Sequence, residues 1–220
     1  MKVIVFGASG MVGQGVLGEC LRDPGVTEVL VVGRSPLGRA QEKLRELVVP
    51  DVGRLEAVEP ALLGYDACFW CLGVSSVGRT EAEYRPVTYG LTVSAATTLA
   101  RLNPGMTFVY VSGAGTDSTE RGRTMWARVK GETENALLRL PFKGAYMFRP
   151  GIIRPVGGVR PKRSFRVLYT LLLPVVLLLQ LLAPRSITTT ERVGRAMVQV
   201  ARVGAARHVL GPAEINALGS

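Results

Sequence analysis

Seven residues near the start of the chain, Gly7-Ala8-Ser9-Gly10-Met11-Val12-Gly13, have the composition and spacing of a loop that wraps a phosphate. They follow the apolar run Lys2-Val-Ile-Val-Phe6 and open a stretch of helical spacing over 12–22, and this context gives the glycines their meaning. Gly7 permits a tight turn, Gly10 lets backbone approach a pyrophosphate, and Gly13 allows close helix packing. The helix start adds free N–H groups and the positive end of its dipole. Gly7, Ser9, Gly10, Met11, Val12 and Gly13 are therefore expected to hold the phosphates of a dinucleotide.

The end of the second apolar run selects the dinucleotide. An acidic residue there would bind the adenosine ribose hydroxyls of NAD and repel a 2′-phosphate, but the sequence is Val31-Val32-Gly33-Arg34-Ser35. The planar fork of Arg34 suits a phosphate, so NADP(H) is favoured over NAD(H); the competing reading of Arg34 is a solvated loop charge. Asp51 is placed to bond the adenine amino group, and Gly73 to bring backbone near the nicotinamide ribose. Cys68 and Cys71 form a C-x-x-C pattern, but three residues apart on a strand they point to opposite faces and cannot easily share a metal or disulfide. They read as core cysteines, and no metal site is expected.

The elements needed to position these groups follow from the pattern. Short β-branched runs alternate with helical stretches, the signature of parallel βαβ units. Strands are predicted at 2–6, 26–32, 55–58, 66–72, 106–111 and 144–148, with helices at 12–22, 36–47, 81–102 and 119–140. The fifth strand ends in Ser112-Gly113-Ala114-Gly115, where reacting groups lie in this architecture. A helix over 188–202, capped by Thr189 or Thr190, and an edge strand at 208–210 complete the chain. The fold class is α/β: a Rossmann-type doubly wound parallel sheet with helices on both faces and a small, apolar C-terminal substrate or lid region. It reads as one domain, with a dinucleotide-binding core over 1–153, an apolar insertion over 154–187, and a helix and strand returning to the core over 188–220.

Together, Gly7 to Gly13, Cys71-Leu72-Gly73, Tyr110-Val111-Ser112, Val129-Lys130-Gly131-Glu132 and Phe148-Arg149-Pro150-Gly151 carry a recognisable pattern. It resembles the atypical short-chain dehydrogenase/reductases of the NAD-dependent epimerase/dehydratase superfamily, with the Tat-interacting-protein oxidoreductase branch as the nearest look-alike. The resemblance runs over 2–153 and more weakly over 191–218. It implies a Ser, a Tyr and a Lys four residues after the Tyr acting on a carbonyl or alcohol. The Tyr exchanges a proton, the Lys holds the nicotinamide ribose and lowers the Tyr pKa, and the Ser orients the substrate oxygen. Ser112 and Lys130 match; the Tyr position falls on Trp126, whose indole N–H donates a hydrogen bond but does not ionise near neutral pH. Cys71, Leu72, Gly73, Lys130 and Pro150 join the cofactor site by the same resemblance. Tyr84, Tyr89 and Asp117 are alternative sources of a proton.

The 220 residues carry a net charge of +10, but the basic residues are spread along the chain and no nucleic-acid-binding signature accompanies them. A nucleic-acid partner is not expected. The three cysteines and the strand directly after Met1 suggest a reducing, cytoplasmic setting. The run 165–183 is almost wholly apolar, broken by Pro174 and flanked by Arg163, Arg166 and Arg185. It reads as a lid over an apolar pocket, a homodimer face, or a broken helix in one leaflet of a membrane contacted through 163–185. Three functions follow: an NADP(H)-dependent enzyme reducing or epimerising a small, lipophilic carbonyl or alcohol; a cofactor-binding regulator or redox sensor without turnover; or a peripheral membrane protein that uses the Rossmann domain as scaffold.

Overall fold

The computed structural model describes residues 1–38, 40–159 and 186–220. In chain order these form β1 (Lys2–Phe6), α1 (Met11–Arg22), β2 (Glu28–Gly33), β3 (Leu44–Val48), a 3-10 turn (Glu56–Leu62) and β4 (Ala67–Trp70). Next come α2 (Glu81–Arg85), α3 (Leu91–Leu102), β5 (Thr107–Val111), α4 (Met125–Leu138) and β6 (Gly144–Phe148). The chain continues with β7 (Ile152–Arg154), β8 (Ile187–Thr189), α5 (Thr190–Val203), β9 (Val209–Leu210) and α6 (Pro212–Leu218).

The main sheet has seven parallel strands in the order β3-β2-β1-β4-β5-β6-β9. Strand order reverses between β1 and β4, the switch point outside which doubly wound sheets bind their ligands. Alternate strand residues face opposite sides and build two cores. Val3, Val5, Phe69, Val109 and Phe148 pack with Val16, Met197 and Val200 of α1 and α5. Ile4, Phe6, Trp70, Phe108 and Met147 pack with Ala95 and Leu99 of α3 and Leu137 of α4. Each large side chain buried this way contributes about 1.5–3 kcal/mol, which is why strands covered on both faces read as unbroken apolar runs. Cys68 lies in the second core and Cys71 against the first, on opposite faces as their spacing requires.

Three expectations are corrected. Among the described residues of 36–47 no helix forms: Pro36 lacks a donor, Gly38 adopts φ +66°, and Glu46 accepts a hydrogen bond from the Leu37 N–H at 2.6 Å. Its second half is instead the true third strand, with Leu44 paired to Val29. The strand predicted at 55–58 falls in the 3-10 turn, where the Val58 N–H bonds the Leu55 carbonyl at 3.0 Å and Pro60 cannot serve a sheet ladder. The helix predicted from 119 starts at Met125, because 117–124 is a loop organised by the Asp117 side chain.

The predicted helix 81–102 is present as α2 and α3 joined by a wider turn over Pro86–Gly90, where Pro86 removes one helical donor and the Leu91 N–H reaches the Pro86 carbonyl. Thr189 is the N-cap of α5, its side chain accepting from the Arg192 N–H at 3.1 Å. Beyond the predicted elements, β7 and β8 form a parallel pair, Ile152 opposite Ile187. The apolar run 165–183 lies outside the described residues. Among those described, no helix is long and apolar enough to cross a membrane.

Candidate active site at the carboxyl edge of the sheet

Register brings the expected residues to one edge. Phe6 of β1 pairs with Val32 of β2 and with Trp70 of β4, so Gly7, Gly33-Arg34 and Cys71 leave the sheet side by side. Trp70 in turn pairs with Tyr110, and Val111 with Phe148, which adds Ser112 and Arg149-Pro150 to the same edge.

The glycine turn is built as its spacing suggests. Gly7 has φ +74°, and a Cβ there would lie 2.6 Å from the Leu72 nitrogen, so the turn presses on the Cys71-Leu72 backbone. A Cβ on Gly13 would lie 2.1 Å from the Gly7 carbonyl oxygen. These two positions admit only glycine, and they let α1 start directly against β1. Gly10 is its N-cap, donating to the Gly7 carbonyl at 2.9 Å, and no side chain caps the helix start. Ser9 is exposed, while Met11 and Val12 are half-buried in the first turn. This open helix start, with backbone free to approach a phosphate, fits a dinucleotide.

Arg34 is exposed and, among the described residues, makes no ion pair. Asp51 is exposed just beyond β3; one of its oxygens accepts from the Gly53 N–H at 2.9 Å and the other lies 3.7 Å from Arg54. Gly73 is exposed, Leu72 half-buried, and the Cys71 N–H bonds the Phe6 carbonyl at 3.0 Å. Burial pushes the Cys71 thiol up to about 12, so it stays protonated at neutral pH. Pro150 is buried and its carbonyl accepts from Ala114 at 2.8 Å, tying the loop after β5 to the end of β6.

Ser112 and Lys130 meet. The Lys130 ammonium donates to the Ser112 carbonyl at 2.7 Å and lies 5.7 Å from the centre of the Tyr110 ring. Loss of hydration brings it down from 10.5 to about 8, and the Glu134 carboxylate acts in the opposite direction. The Ser112 hydroxyl donates to the Phe148 carbonyl at 3.0 Å, which leaves its lone pairs free to accept. Trp126 sits one turn before Lys130 on α4, its ring edge 3.4 Å from where a Cβ of Gly115 would stand. The three residues therefore share the corner between β5 and α4.

Of the alternative proton sources, Asp117 and Tyr84 are both held away from neutrality. Hydrogen bonds from the Thr119 hydroxyl and from the backbone of Gly122 and Thr119 hold the Asp117 carboxyl below its usual range. Tyr84 is buried and burial raises its phenol. Tyr89 lies under the Arg85 guanidinium, 4.6 Å from its ring centre.

Two groups escaped the sequence reading. Glu134, only 1% exposed, is gripped by Arg149 from the end of β6, with Nε on Oε1 at 3.0 Å and Nη2 on Oε2. The i, i+4 spacing of Lys130 and Glu134 on one helix was the only local signal.

No family model matches the chain. Protein HTATIP2 of Rattus norvegicus is 29% identical over 154 residues, covering 69% of this chain and 62% of the relative. The mitochondrial protein fmp52 of Aspergillus clavatus is 32% identical over 163 residues, covering 69% and 66%. The matches thus span about two thirds of these relatives or slightly less. Among solved structures, the Bordetella bronchiseptica enzyme WbmF in complex with NAD+ superposes with a TM-score of 0.70 at 15% identity, over 99% of this chain and 76% of that one. A short-chain dehydrogenase/reductase superfamily protein from Agrobacterium tumefaciens with bound NAD superposes with a TM-score of 0.68 at 15% identity, over 96% and 77%. The solved structures speak for the fold, and the sequence relatives for the lineage. With its glycine turn and its Ser112–Lys130 corner on one sheet edge, the chain belongs to the atypical short-chain dehydrogenase/reductases, in the branch of the Tat-interacting protein HTATIP2.

Proposed function

We propose that the chain binds a nicotinamide dinucleotide, NADP(H) in preference to NAD(H), and acts on a small lipophilic carbonyl or alcohol. The observation that carries this reading is the contact of Lys130 with the Ser112 carbonyl at 2.7 Å, on the same edge as the glycine turn. The turn and the start of α1 would receive the pyrophosphate, and Arg34 a 2′-phosphate. The absence of an acid at the end of β2 favours NADP(H). The apolar run 165–183 favours a lipophilic substrate.

A bound dinucleotide would supply or accept hydride at its nicotinamide ring. The chain's own task is then to hold the substrate oxygen and move one proton. Ser112 offers lone pairs to a substrate hydroxyl, and Trp126 an N–H that donates without transferring. Lys130 is the group in this corner, among the described residues, that changes protonation close to neutrality, which suits it to give a proton to a reduced oxygen and recover it from water.

A second reading, a dinucleotide-binding regulator or redox sensor, is favoured by Trp126, since the usual tyrosine acid is missing. Dinucleotide oxidation across a panel of apolar aldehydes and ketones separates the two. Weak turnover by the native chain, rising about 10²-fold in Trp126→Tyr, would support the enzyme; general acid catalysis contributes on this scale. No turnover in either form, with dinucleotide binding intact, would support the regulator and overturn the enzyme.

A further inference from the structure

The Arg149–Glu134 pair has a cost that the sheet does not require. Glu134 is 1% exposed, and the Arg149 side chain is 19% exposed. A well-packed apolar pair at such a place is often as stable as an ion pair, or more so. Its connections suggest another purpose. Arg149 directly follows Phe148, whose carbonyl receives both the N–H of Ser112 at 2.8 Å and its hydroxyl at 3.0 Å. The Ser112 carbonyl receives the Lys130 ammonium at 2.7 Å, and one turn of α4 leads from Lys130 back to Glu134. The contacts close a ring: Glu134, Arg149, Phe148, Ser112, Lys130 and Glu134 again. A second tie, from Arg149 to the Ser118 hydroxyl, fastens the ring to the loop after β5.

We infer that the Arg149–Glu134 pair is the positioning device of this site, fixing Lys130 against Ser112. This rests on the role proposed above for Lys130 and Ser112, and deepens it. Both members act through another residue, so neither is catalytic. The charge that acts on Lys130 is Glu134 on its own helix, itself held by Arg149 from beyond β6; the centre of the Tyr110 ring of β5 lies 5.7 Å from the ammonium, with Tyr84 of α2 beside Tyr110. Burial raises both phenols, which therefore stay neutral through the range in which Lys130 titrates. Glu134 is the charge that acts against the burial of Lys130. Arg149 partly offsets that charge and holds it in place.

The test is a titration of Lys130 in the ligand-free full chain. The five lysines are few enough to resolve by 13C-methyl-lysine NMR, with the Lys130 signal assigned by its loss in Lys130→Arg. The native midpoint is expected near 8. Glu134→Gln should lower it by about one pH unit, the effect of removing an opposite charge at close range. Arg149→Gln should raise it, because the carboxylate is then unshared. The uncharged double variant Glu134→Gln/Arg149→Gln guards against misfolding of either single variant and should also titrate below the native chain. A folded double variant that titrates at the native midpoint, whatever its melting temperature, would reduce the pair to a structural tie and overturn the inference. Because no dinucleotide is present, failure of the native chain to bind one would overturn the proposed function and leave this result standing.

Discussion

The burial of Lys130 carries a cost that can be measured separately from any reaction. Its ammonium is removed from most of its water, and the carbonyl at 2.7 Å with the Tyr110 face only partly replaces what is lost. Its folded value is therefore depressed, from 10.5 to about 8. Below pH 8 the folded and unfolded chains both hold this proton, and the folded state bears the full cost. Between about 8 and 10.5 only the unfolded chain holds it, so the folded state gains as pH rises. The buried thiols Cys20, Cys68 and Cys71 act oppositely above their ordinary 9.0, because the unfolded chain ionises them and the folded chain does not. Subtracting a Lys130→Met variant removes their contribution. Denaturant unfolding from pH 7 to 10.5 should show Lys130→Met more stable at neutral pH by on the order of 2 kcal/mol, allowing for the part of the side chain that keeps water, with the gap closing as pH rises. A gap that is constant with pH would mean that Lys130 is not perturbed. That Ser112, Lys130 and Trp126 would share one corner was legible through the family resemblance, whose short motifs lie at the end of β5 and on α4. Glu134 and Arg149 were not, since their pairing depends on how β6 lies beside α4.

Strands covered on both faces announced themselves, and β1, β4, β5 and β6 lie where their apolar runs predict, within a residue or two at the ends. The edge of the sheet was less legible. Residues 36–47 mix Leu37, Leu44 and Leu47 with charges at spacings that suit a helix, whereas β3 is an edge strand only half covered, so its alternation is blurred. Pro36 and Gly38 were the signals that outweighed the periodicity. Helix ends were read better where a side chain caps them, as at Thr189 of α5. That cap holds the start of a helix which covers the first core and whose preceding strand, β8, pairs with β7. Thr189→Ala should destabilise the chain by about 1 kcal/mol, read as a lower denaturant midpoint with unchanged slope. An unaltered midpoint would show that tertiary packing alone fixes this end.

At the scale of the whole molecule, the doubly wound order puts five strand ends, those of β2, β1, β4, β5 and β6, side by side around the switch point, and every element of the proposed site hangs from that arrangement. The fold class was legible because alternation of β and α runs is a global property that survives local errors such as the misplaced third strand. The choice of dinucleotide rests on one exposed side chain, Arg34, and on a missing acid. Dinucleotide binding and its preference are therefore read by calorimetric titration of the full chain with NADPH and NADH, beside Arg34→Gln. Both should bind saturably at one site, NADPH tighter by about tenfold, with loss of that preference in Arg34→Gln, because a charge-assisted contact to phosphate is worth about 1.5 kcal/mol or more. A folded chain that binds neither dinucleotide would contradict the proposed function.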